Sequence, residues 1–253
     1  MTVFEQPLNE RIRAFMRLQQ LFVRLDHHLN GLSRCDIQAS IGVLLDAYDL
    51  TSRSNLKTEV LKELERHNPP DAKRAEDEEE TKVQFQLTRE NIQLLRNELH
   101  AQPVRSYQQL QNNEFLNSVK QRCGISGTGS TNDLPLYHFW LDRDVIECRN
   151  TIIEWMEPYK HLREAIDLIL ENIRRNGKFQ EITAERGFYQ SSLRSEKSLQ
   201  LVRVEIPEHA DIFPEISAGI HRITIRFMKY VSANEKPAQS LEDINFRIAF
   251  CEL

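Results

Sequence analysis

The sequence predicts an α+β fold, an all-helical N-terminal body packed against a C-terminal antiparallel β-sheet region. Three observations predict it. Up to about residue 177 the apolar residues recur every three to four positions, as on one face of a helix. From Lys178 onward they alternate, as on one face of a strand. The chain has 253 residues, 40% hydrophobic and 28% charged, which suits one large domain or two modest ones with ample core. The change of period near Lys178 divides the chain into a helical domain, 1–177, and a β domain, 178–253. Residues 3–7 precede the first helix and are placed to join the sheet as an extended segment.

Taken in order, the first helix gathers Ile12, Phe15, Leu18, Phe22, Leu25 and Leu29 into one stripe at about 100° per residue. Arg13, Arg17 and Arg24 fall together on the opposite side. Ser33 or Asp36 can cap a second helix running to about Tyr48, and Ser54 a third, which carries Leu56, Val60 and Leu64 and stops at Pro69-Pro70. Residues 71–80 hold six carboxylates and read as a solvated loop or a frayed helix end. A fourth helix covers about Thr81 to His100, and a shorter one ends near Cys123. Gly124 to Asn132 is glycine-rich and reads as a loop, followed by a helix-breaking Asp133-Leu134-Pro135. Two more helices, about Asp144 to Met156 and Pro158 to Arg175, bury Ile152, Ile153, Leu162, Ile166, Ile169 and Ile173.

Three strands follow, each with one apolar face: Val202, Val204 and Ile206; Ile223, Ile225 and Phe227; Ile244, Phe246, Ile248 and Phe250. The segments containing Pro207, Pro214 and Pro237 read as their connections. Alternation sends Arg203, Arg222, Arg226 and Arg247 to the other side of this sheet. Four arginines against one nearby carboxylate, Glu205, make that face basic.

Composition excludes several function classes. A net charge of −5 leaves an anionic partner only a local basic patch to meet. The four cysteines, Cys35, Cys123, Cys148 and Cys251, lack Cys-x-x-Cys spacing and read as reduced, partly buried thiols. Met1 to Glu5 has neither the basic nor the apolar region of a secretion signal, and no stretch approaches the roughly 18 apolar residues of a membrane span. The expectation is a cytoplasmic protein with no direct membrane insertion.

No catalytic constellation is legible. His138, between Tyr137 and Phe139, could be partnered by Asp133 or Ser130, but no spacing singles either out. A hydrolase is therefore disfavoured, and a groove histidine that serves binding is the better reading. Gly124 to Ser130 lacks the Gly-Lys-Ser/Thr ending of a phosphate loop. His27 and His28 are adjacent on a helix and face different directions, which is poor metal geometry. No cofactor and no metal are expected. A nucleic-acid module using the arginine face is the alternative, and the net charge and the few aromatics on that face count against it.

An ordered set of segments carries a resemblance: Phe4 to Arg11, Leu44 to Tyr48, Lys57 to Leu64, Asn132 to Leu141, Gly187 to Gln190, Phe213 to Ser217, and Arg222 to Met228. Together they resemble the ZapD family of bacterial cell-division proteins. The resemblance implies a non-enzymatic protein that binds the C-terminal tail of FtsZ and, as a homodimer, crosslinks and bundles FtsZ filaments at the mid-cell ring. It also implies the site. Arg17, His138, Arg222 and Arg226 match basic positions around the family's tail pocket, with Arg13, Arg24, Arg53, Lys120 and Arg203 as secondary candidates. Lys57 aligns with another basic position. Glu114 departs from the pattern, standing where the family has a basic residue, and Lys120 or Arg122 could substitute for it. The tail pocket is expected where the first helix, residues 133–140 and the strand 222–228 meet. Arginine suits the role because its planar fork grips a carboxylate at two points.

Overall fold

A computed structural model of the chain describes residues 1–52, 55–67, 79–103, 110, 112–123, 133–193, 199–219 and 221–252. They form two compact units, one comprising Met1–Arg13 and Leu170–Leu253, the other Ala14–Ile169. The chain passes from one to the other inside two helices, α1 (Glu10–Leu29) and α8 (Lys160–Arg175).

The unit Ala14–Ile169 is helical throughout its described residues. On α1 the whole predicted stripe is buried, from Ile12 at 0% exposure to Leu29 at 8%, while Arg17 and Arg24 are exposed. The helix starts where Asn9 Oδ1 accepts from the Ile12 amide at 2.9 Å, an N-cap bond. At the start of α2 (Arg34–Ser52), Ser33 Oγ accepts from the Asp36 amide at 3.2 Å and Asp36 Oδ2 accepts from the Ser33 amide at 3.1 Å. The two expected alternatives thus act together as a capping box. The Ser33 hydrogen bonds also hold the Asp36 carboxyl below its ordinary value.

α3 (Leu56–Arg66) buries Leu56, Val60 and Leu64 as its spacing predicts. Its N-cap is Asn55, which makes no side-chain cap bond, and the expected cap Ser54 lies outside the described residues. Glu63 is fully buried on the same helix, where Arg66 Nη1 approaches it at 3.2 Å and His67 Nε2 at 3.6 Å. α4 (Glu79–Ala101) and α5 (Glu114–Cys123) follow. The acidic residues 71–78 and the glycine-rich segment 124–132, Ser130 included, lie outside the described residues.

The Asp133-Leu134-Pro135 run does not break a helix; Pro135 begins one, α6 (Pro135–Leu141). Proline has no N–H to lose at the first helical position, and its fixed φ is already helical. α7 (Val145–Met156) is capped by Asp144, whose Oδ1 accepts from the Ile146 amide at 2.8 Å and the Glu147 amide at 3.3 Å. It buries Ile152 but leaves Ile153, expected in the core, 43% exposed, because adjacent helical residues lie about 100° apart and cannot both face inward. A single 3-10 turn, Glu157–Tyr159, leads into α8. Within this unit α8 is tied to α1 by the Gln19 amide donating to Asp167 at 2.6 Å and by a two-point grip of Arg163 on Asp26.

The described residues of the other unit hold eight strands: β1 (Thr2–Pro7), β2 (Gln180–Ala184), β3 (Phe188–Ser192), β4 (Leu199–Ile206), β5 (Ile212–Ala218), β6 (Arg222–Lys229), β7 (Ala238–Gln239) and β8 (Ile244–Glu252). All their pairings are antiparallel, in two sheets. The first runs β1-β4-β8-β2; the second runs β3-β6-β5, with β7 pairing β6 beyond the end of β3. The N-terminal residues form the edge of the first sheet, with Phe4 opposite Val204.

The expected single sheet with one arginine face is therefore corrected. Val202, Val204, Ile206, Phe246 and Ile248 of the first sheet and Ile223, Ile225 and Phe227 of the second share one buried cluster. Phe227 and Phe246 meet at 4.9 Å between ring centres. Each sheet has one greasy face, and at about 25 cal/mol per Å² of apolar surface the cheapest way to dry both is to press them together. The four arginines consequently project from two opposite outer faces: Arg203 and Arg247 from the first sheet, Arg222 and Arg226 from the second. The link between the sheets is a tight hairpin, β2 to β3, whose two turn residues Arg186 and Gly187 both have positive φ, 49° and 68°. A side chain at Gly187 would strike the Ser240 carbonyl oxygen at 2.5 Å, so glycine is required there twice over.

Candidate functional site

The outer face of the second sheet is built from four short rows. Phe213, Met228 and Gln239 form the first across β5, β6 and β7; Phe188, Arg226 and Glu215 lie side by side in the next across β3, β6 and β5; Gln190, Thr224 and Ser217 form the third; Ser192 and Arg222 form the last. Arg222 and Arg226 are exposed and, at four residues apart on a strand, are separated by about 13 Å. Phe188 is 39% exposed beside Arg226. Past Arg226 towards the start of β6, Gln190, Ser192, Ser217, Gly219, His221, Arg222 and Thr224 line a concavity of about 660 Å³. The face therefore offers two guanidinium forks, hydroxyl and amide donors, the exposed Phe188 ring and the half-buried Phe213 and Met228, with Glu215 as the carboxylate beside Arg226.

The outer face of the first sheet carries the same residue types in another state. Glu5 on β1 sits opposite Arg203 on β4, and Arg247 on β8 lies between Glu205 and Glu181. Arg174, near the end of α8, donates to Glu5 from Nε at 3.0 Å and from Nη2 at 2.9 Å. Arg203 Nε lies 3.1 Å from the same carboxylate, and Arg247 Nη1 lies 2.6 Å from Glu205, both as charge contacts. Phe179 takes the Arg203 and Arg247 guanidiniums at 5.2 Å and 5.1 Å from its ring centre. Arg203, expected among the ligand-binding arginines, is thus engaged with Glu5 on the face opposite Arg222. Cys251 is fully buried under this layer, and burial pushes its thiol up to about 11.

In the helical unit Arg17 lines a groove of about 510 Å³ with Gln20, Leu21, Asp46, Asp49 and Leu50. Lys120 reaches this groove by pairing with Asp49, and its ammonium sits 4.6 Å from the Tyr48 ring centre. Asp49, which lines the groove with Arg17, is thus paired with Lys120. Arg24 is exposed further along α1. Arg13, in the other unit, pairs with Glu10 at 3.3 Å. Lys57 donates to the Gln102 carbonyl at 2.6 Å, and burial lowers its ammonium's pKa. Arg122 donates to the Asp133 carbonyl at 2.7 Å, and Glu114 is exposed at the start of α5. Arg53 lies outside the described residues.

His138 is held by a residue that sequence reasoning did not single out. Arg34 at the start of α2 pairs with Asp142 and places Nη2 3.1 Å from His138 Nδ1. A guanidinium can only donate, so Nδ1 accepts, and the proton of the neutral ring sits on Nε2. The two residues are 104 positions apart, and no local spacing signals the contact. Phe188 and Glu215 were missed for the same reason, since only strand register sets them beside Arg226.

The family model described as "ZapD: Cell division protein" matches residues 16–226. The chain belongs to the ZapD family. It is 37% identical over 251 residues to the cell division protein ZapD of Methylococcus capsulatus, covering 99% of this chain and 98% of that one. It is 34% identical over 265 residues to the ZapD of Bordetella petrii, covering 99% of each, and 30% identical over 252 residues to that of Chromobacterium violaceum, covering 100% of each. ZapD membership gives the chain a role in cell division. Among the described residues no helix is long and apolar enough to cross a membrane, and no group of three or more His, Cys, Asp or Glu side chains could hold a metal ion.

Proposed function

We propose that this protein binds the C-terminal tail of FtsZ and, as a homodimer, crosslinks and bundles FtsZ filaments at the mid-cell ring, in the cytoplasm and without catalysis. The observation that carries the reading is the outer face of the second sheet, where Arg222 and Arg226 stand exposed 13 Å apart by the strand rise of about 3.3 Å per residue, beside Phe188. A tail with acidic and apolar side chains fits a surface that offers two forks and a ring. Arg17 and His138 are the tail contacts assigned in the helical unit. Bundling needs two tail sites per particle, hence the dimer. A filament displays many tails, so a weak single contact suffices once the second is intramolecular.

The nucleic-acid alternative loses support from the same geometry. It needed four arginines on one face, and two of them are spent on carboxylates on the opposite side. Sedimentation with FtsZ polymers separates the readings. Co-pelleting and bundling with full-length FtsZ, lost with polymers lacking the tail, is the expected result; pelleting that ignores the tail would end the proposal.

A further inference from the structure

We infer that the concavity at the start of β6 is a receptor for a peptide's C-terminal carboxylate, with Arg222 as its charged anchor; this deepens the tail-binding reading and rests on it. Arg222 is the first residue of β6, while Ser192 and Ala218 are the last of β3 and β5, so the concavity lies where the outer face of the sheet ends. On that side it abuts the β5–β6 connection, where the Gly219 amide donates to the Arg222 carbonyl at 2.8 Å and the Leu193 amide donates to the His221 carbonyl at 2.8 Å.

The lining matches a terminus. It holds one guanidinium and one imidazole, five neutral residues, and no carboxylate and no large apolar side chain among the described residues. One fork suits a single carboxylate held at two points. Ser192, Ser217, Thr224 and Gln190 supply side chains that both donate and accept, which is what the last amide N–H and carbonyl of a peptide require. Arg226 is differently furnished, with Phe188 on one side and Glu215 on the other. It faces an acidic side chain that has an apolar neighbour, about 13 Å or four extended residues before the end.

The test compares two synthetic peptides of the FtsZ C-terminal tail, identical except that one ends in the free carboxylate and the other in a carboxamide, by titration against the intact wild-type protein and Arg222→Gln. Thermal melting confirms that the variant is folded. The free acid is expected to bind the wild type about fivefold more tightly than the amide, and the Arg222→Gln protein to bind both alike at the weaker level. Equal binding of the two peptides to wild type overturns the inference and leaves the tail reading intact. A preference for the acid that survives Arg222→Gln also overturns it, because the terminus is then read elsewhere. Binding of neither peptide defeats the tail reading itself, and the inference with it.

Discussion

The two outer faces of the β sandwich carry arginines at equivalent places in the alternation, yet one face is closed and the other open. On the first sheet Arg203 and Arg247 meet Glu5, Glu205 and Phe179, and Arg174 of α8 lies over the same carboxylate. Glu5 retains only 17% of its side-chain exposure there. On the second sheet Arg222 and Arg226 are exposed. A guanidinium on a strand is thus neither a stabiliser nor a ligand anchor by its type. What decides is whether the neighbouring strand and the element above bring a carboxylate and exclude water.

The largest effect is expected from breaking the closed face. Glu5→Ala leaves Arg174 and Arg203 sharing a half-dry layer with no carboxylate between them, and stability should fall by about 2 to 3 kcal/mol. That is below the full cost of orphaning a deeply buried charge, because both guanidiniums keep some water. Urea unfolding measures it as a lower midpoint with unchanged slope. Tail binding by the folded fraction should not change.

On the open face the signs reverse. Arg226→Glu should weaken tail binding well over tenfold, a loss of about 2 kcal/mol, and lower stability by no more than about 1 kcal/mol, the cost of setting a glutamate opposite Glu215. Added salt should weaken wild-type binding in parallel. If Arg226→Glu bundles FtsZ normally at low salt, the open face is only a solvated surface. In the helical unit Arg17→Gln is the better probe than charge reversal, since a glutamate at 17 would join Asp46 and Asp49 in one groove.

Much of the fold could be read from the sequence, and the reason why is visible in what could not. The stripe of α1 and the cores of β4, β6 and β8 are periodic and long, and the caps of α2 are three residues apart, so local pattern decides them. Pro214 makes β5 read as a connection, although an edge strand tolerates proline. β2, β3 and β7 are five residues or fewer and too short to show a period. The division of the arginines between two faces was not legible, because alternation gives a residue's side within its own strand and says nothing of which sheet the strand joins. Resemblance found Arg222 and Arg226; only pairing register could add Phe188, Glu215 and the Glu5 partner of Arg203.

The closed face can also be checked by its thiol. Burial raises the Cys251 thiol from an ordinary 9.0 to about 11, which favours the neutral form in the folded state. The stabilisation is therefore complete below about pH 9 and is lost as the pH rises from 9 towards 11, where the unfolded chain ionises first. It is worth on the order of 2 kcal/mol. Native protein treated with iodoacetamide at pH 8 should be alkylated at exposed Cys35 and spared at buried Cys148 and Cys251 until denaturant is added. Rapid native alkylation of Cys251, read by peptide mass spectrometry, would show that the layer over the first sheet opens readily.

The smallest expected effect asks whether the flat shape of a guanidinium matters on the closed face. Arg247 lies between Glu205 and Glu181 and against the Phe179 ring, with 40% of its side chain still exposed. Lysine at 247 keeps the charge near both carboxylates but cannot lay a planar group on the ring, so Arg247→Lys should cost about 0.5 to 1 kcal/mol. On the open face, where no ring among the described residues is stacked under Arg222, Arg222→Lys should leave stability unchanged within error and weaken only the capture of a peptide terminus, since an ammonium offers a point charge in place of a fork. Paired thermal melts of the two lysine variants make the comparison directly. Equal melting temperatures would mean that Phe179 contributes area alone, and the closed face would then owe its stability to Glu5 and Glu205.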